Sequence, residues 1–93
     1  MAGAIDQDGN KNATLSTPAG TATLVLAANP ARKAAWIFNA GAVDVYLRES
    51  NAVTTANGAP LRANAALFDD ATRDAWWGIT AGATADLHVI EIV

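Results

Sequence analysis

A chain of 93 residues and 9.5 kDa has room for one domain core and not for two. Hydrophobic residues make up 52%, but 23 of them are alanine, which leaves 25 bulky apolar side chains. The net charge of −3 excludes the basic clusters that sequence-independent nucleic-acid binding needs, and the lack of cysteine excludes disulfides and thiolate chemistry. So thin a core predicts added stability from a partner or from self-association. No basic start leads into a long apolar run, so neither a secretory leader nor a membrane contact is expected.

Residues 1–17 open the chain with a polar run, Asp6 to Asn12, in which Ile5 and Leu15 are the only bulky anchors. This composition predicts a polar N-terminal arm over 1–17, ordered only against a neighbour, and a β-sandwich domain over 18–93. Despite the alanine content, no window sets bulky apolar residues at helical spacing over three turns. Short runs of Val, Ile, Leu, Thr and aromatic residues recur instead, broken every eight to twelve residues by Gly, Asn, Pro or Asp. Strands are predicted over 21–27, 33–39, 43–49, 61–62, 67–68, 75–80 and 85–93. Asn29-Pro30, Ala40-Gly41-Ala42, Asn57-Gly58 and Ala81-Gly82-Ala83 supply the turns. The expected fold is all-β: a single antiparallel sandwich, jelly-roll-like, of about seven or eight strands.

Alternation assigns faces. Val43, Val45 and Leu47 form one apolar face, and Asp44, Tyr46 and Arg48 the wet one. The strand of Trp36 and Phe38 is apolar on both faces, since Ala35 and Ile37 oppose them. That pattern predicts a central strand or a face covered by another subunit. Of the adjacent pair Trp76-Trp77, Trp77 shares a face with Ile79 and is expected in the core. Trp76 then projects with Gly78 and Thr80 as an interface anchor. The expected interface residues are Trp76, Trp36, Phe38, Tyr46, Arg48, His88 and Ile5.

Catalytic chemistry is poorly supplied. His88 is the only histidine, and with no cysteine it cannot build a zinc site. Ser16 and Ser50 lie outside any G-x-S-x-G elbow. Asp6-Gln7-Asp8-Gly9-Asn10 begins like a calcium loop, but its glycine sits at position 4 rather than 6 and the closing glutamate is missing. Asp69, Asp70 and Asp74 surround Arg73, which suits an acidic turn as well as a hard-cation site. No enzyme activity, cofactor, metal or nucleic-acid partner is expected.

The order of elements carries a resemblance. Trp36-Ile37-Phe38-Asn39 runs through Ala40-Gly41 into Val43-Asp44-Val45-Tyr46-Leu47-Arg48. Gly58-Ala59-Pro60-Leu61, Leu67-Phe68 and Trp77-Gly78-Ile79-Thr80 follow, and the stretch closes on Leu87-His88-Val89-Ile90-Glu91. Over residues 32–93 this resembles a broad group of small tailed-bacteriophage virion proteins, of the capsid decoration (cement) or head-fibre type. The resemblance implies a small β-sandwich located on the virion capsid surface and made in the host cytoplasm. It also implies a homotrimer at threefold lattice positions, bound to the major capsid protein. A fibre-like module that binds host-surface carbohydrate is the alternative. Neither implication supplies catalytic residues.

Overall fold

The computed structural model describes residues 11–16 and 18–93. They form eight strands, and no helix occurs among them: β1 (Lys11–Ser16), β2 (Thr23–Leu26), β3 (Ala34–Asn39), β4 (Val45–Arg48), β5 (Ala59–Leu61), β6 (Ala66–Asp69), β7 (Trp76–Ile79) and β8 (Leu87–Ile92). Two four-stranded antiparallel sheets result, ordered β1-β8-β3-β6 and β2-β7-β4-β5, in a sandwich-like arrangement. The pairings are nested. β4 meets β5, β3 meets β6, β2 meets β7 and β1 meets β8, and successive pairs fall in alternate sheets.

The first sheet contributes Ala35, Ile37, Leu87 and Val89 to the core, and the second contributes Val25, Leu26, Val45, Leu47 and Leu61. Inward residues alternate with exposed ones, as the period of a half-buried strand requires. β3 lies between β8 and β6, so the expected central position holds, while no other described strand covers its outer face.

Lys11–Ser16 run as β1 beside β8, so the sheet begins within the segment expected to form an arm over 1–17. β8 has two backbone edges, and β3 occupies only one of them; β1 supplies hydrogen-bond partners to the other. The polar run conceals a strand because its apolar content is too low for alternation to show. Residues 1–10 and 17, and with them Ile5, lie outside the described residues.

Both ends of β3 are closed by a buried polar side chain. Just before the strand, Arg32 is 1% exposed. Its Nε donates to Glu91 Oε2 at 2.9 Å, Nη1 donates to the carbonyls of Thr72 (3.3 Å) and Asp74 (2.9 Å), and Nη2 donates to the Ala27 carbonyl at 2.6 Å. Asn29 Nδ2 donates to the same Glu91 oxygen at 3.4 Å. At the far end Asn39, fully buried, donates through Nδ2 to the carbonyls of Val43 and Leu61, and its Oδ1 accepts from the Gly41 amide.

These networks give a testable result. Arg32→Ala takes the guanidinium away from the Glu91 carboxylate and from three carbonyls at a buried site, and is expected to cost about 3–5 kcal/mol in urea unfolding. The double substitution Arg32→Met with Glu91→Leu removes both charges together and is expected to cost less than the single one.

Candidate interaction surface

Trp36 and Phe38 project outward from β3, because Ala35, Ile37 and Asn39 take the inward positions. Register then decides their neighbours. Trp36 lies opposite Ile90 of β8 and Phe68 of β6, and Phe38 lies opposite His88 and Ala66. Residues directly opposite each other share a face, so one sheet surface carries Trp36, Phe38, Phe68, His88 and Ile90. The rings of Trp36 and Phe38 stack at 5.9 Å with 13° between their planes, and His88 meets Phe38 edge-on at 6.5 Å. Phe68 is 60% exposed and Trp36 38%. His88 is the only titratable group within this cluster, so the centre of the patch has no carboxylate and no Lys or Arg.

The opposite outer surface, on the second sheet, is mixed. Tyr46 lies opposite Ile79 and Pro60, and Arg48 lies opposite Trp77, which in turn faces Leu24. Arg48 Nη1 donates to the Asn57 carbonyl at 3.3 Å. At one end, Ala42, Val43, Asp44, Tyr46 and the 81–83 turn line an open cleft of about 470 Å³. Asp44 is held there by Arg62 at 2.6 Å.

The tryptophan pair is reversed from expectation. A Cβ added to Gly78 would lie 3.0 Å from Val25 Cγ2 and 3.2 Å from both Leu47 Cδ2 and Pro18 Cγ, so position 78 points into the core. Trp76 shares that side and packs against the core cluster, while Trp77 and Ile79 take the outer face. Thr80, at 2% exposure, satisfies its hydroxyl within the turn by donating to the Ala83 carbonyl and accepting from the Gly82 amide. The apolar Ile79 suggested the wrong parity. What fixes the parity is the space that a glycine leaves between the sheets. β2 adapts with a bulge at Val25, which lets Val25 and Leu26 both turn inward.

The expected interface residues therefore separate. Trp36, Phe38 and His88 come together on the first sheet, Tyr46 and Arg48 lie on the opposite surface, and Trp76 is partly buried against the core. The sequence reading omitted Phe68, the most exposed of the large apolar residues named here. Its position two residues from Ala66 in an alternating strand was the available signal. The acidic segment forms turns: Asp69 Oδ1 accepts from the Ala71 amide and Thr72 Oγ1 from the Asp74 amide. Among the described residues no three His, Asp or Glu side chains gather as a metal site.

Comparison with protein-family models, curated proteins and solved structures finds no match to this chain.

These faces predict which aromatic residue supports the fold and which does not. Trp76→Ala is expected to destabilise the fold by about 3–5 kcal/mol in thermal or urea unfolding. Phe68→Ser, at an exposed edge, is expected to change stability by no more than about 0.5–1 kcal/mol.

Proposed function

We propose that this chain is a non-enzymatic structural virion protein, a capsid decoration (cement) protein seated on the outside of a tailed-phage head. In this reading the patch of Trp36, Phe38, Phe68 and Ile90 buries against the major capsid protein or a further copy of the chain. The observation that carries it is two exposed aromatic rings, Trp36 and Phe68, gathered with the half-buried Phe38 on one sheet face, with no charge of fixed sign among them. Large exposed apolar patches mark association sites, and buried aromatic anchors supply most of the binding energy there. The virion setting is supported by the resemblance over residues 32–93.

A jelly roll is the finer fold that goes with this proposal. The nested order supports it: a long hairpin whose successive strand pairs alternate between two sheets is what that architecture requires. A second reading is favoured by one observation. The exposed Trp36 indole offers an aromatic ring against which a sugar ring could stack, in keeping with a fibre-like module for host carbohydrate.

Adding the purified protein to heads that lack it, followed by electron cryo-microscopy, tests the main reading. Density at regular lattice positions is expected. Changing Trp36 and Phe68 together to Ser is expected to weaken head binding by about tenfold or more. Failure to bind heads, with selective retention on a glycan array, would instead favour the carbohydrate module.

A further inference from the structure

We propose that β6 is a strand-addition edge, through which two copies of this chain join antiparallel about a twofold axis at Phe68. The hydrogen-bonding parity of β3 sets the geometry. The Ala40 amide donates to the Asp86 carbonyl and the Asn39 amide donates to the Ala65 carbonyl. Even-numbered residues of β3 thus bond towards β8 and odd-numbered ones towards β6. In β6 the partners of the odd-numbered residues are Leu67 and Asp69. The N–H and C=O groups of Ala66 and Phe68 consequently point to the open edge of the sheet.

Comparison of the four edges singles this one out. β5 is three residues long and contains Pro60, which has no N–H to offer. β2 is bent by the bulge at Val25, and β1 begins on Lys11. Bulges, proline and charged side chains are the devices that guard an edge; β6 has no bulge and no proline, and its one charge, Asp69 at the strand's end, accepts from the Ala71 amide through Oδ1. The side chains point the same way. Ile90, Trp36 and Phe68 form one row across β8, β3 and β6, and its last member, on the edge strand of the described sheet, is 60% exposed.

A second copy continues that row. With Phe68 on the axis, each Phe68 exchanges both backbone hydrogen bonds with its twin, and the two rings cover each other. Side chains keep their parity: Asp69, the last residue of β6, lies opposite Leu67 of the second copy, so no carboxylate within the strand faces a carboxylate directly. The joined sheet has eight strands and a single continuous aromatic face. This contact is twofold, in place of the threefold association that the resemblance implies, and it does not depend on the virion reading.

Because the chain contains no cysteine, introduced thiols report the register cleanly. Twin residues on the axis lie about 5.5 Å apart between Cα atoms, within disulfide range. Twins at position 66 are offset by four residues, about 13 Å along the strand, and beyond that range. Under mild oxidation Phe68→Cys is expected to convert to a covalent dimer and Ala66→Cys to stay uncrosslinked. Sedimentation is expected to show a dimer for the unaltered chain. Ala66→Pro removes only an outward-pointing N–H, so it is expected to keep the β-sheet circular dichroism spectrum while sedimenting as a monomer. A monomer or trimer for the unaltered chain at about 0.1 mM, or crosslinking at 66 rather than 68, overturns the proposal. Head binding by a chain that proves monomeric would sink the edge contact and leave the decoration reading standing.

Discussion

Everything around β3 depends on satisfying one buried cation. Arg32 has no exposure to solvent through its side chain, so each guanidinium nitrogen needs an acceptor inside the protein. It finds them on three separate stretches: the β2–β3 connection at Ala27, the β6–β7 connection at Thr72 and Asp74, and β8 at Glu91. These acceptors come from both sides of the sandwich, because β6 and β8 lie in one sheet and β2 and β7 in the other. A charge with a fixed planar fork therefore specifies where two loops must lie relative to the sheet edge. Apolar packing at that end, where alanine is abundant, has little shape of its own with which to do this.

Asn39 acts in the same manner at the other end, with neutral groups. One amide closes the β3–β4 turn at Gly41 and Val43 and reaches across to Leu61 at the end of β5. Between the two polar closures lie the small inward residues Ala35 and Ala85 and the larger Ile37, Leu87 and Val89. The thin core noted from composition is thus compensated by satisfied polar networks, which are directional where hydrophobic contact is not.

Fold class was legible in the sequence wherever one face of a strand was clearly wet. Val45 and Leu47 against Tyr46 and Arg48 is such a case, and the structure keeps that parity. Parity was not legible in Trp76-Trp77-Gly78-Ile79, where both faces hold apolar residues and glycine carries no hydropathy signal. Nor was Arg32 legible as a core residue, since a lone arginine after Asn29-Pro30 looks like any solvated turn. The surface aromatics were half legible. Trp36, Phe38 and His88 were identified singly, but their union with Phe68 and Ile90 depends on a register that no single strand encodes.

The nested strand order has a consequence for how the chain acquires its structure. Among the nested pairs only β4 and β5 are consecutive in sequence, and each further pair encloses a longer loop, up to the 81-residue separation of Lys11 and Ile92. Entropy charges for every closure before its contacts repay it, so such a topology belongs among the slow folders. On the ribosome β1 emerges first, yet its pairing partner β8 emerges last of the eight. The outermost pairing therefore becomes possible only after the inner hairpins can form, and the chain is built from its middle outwards.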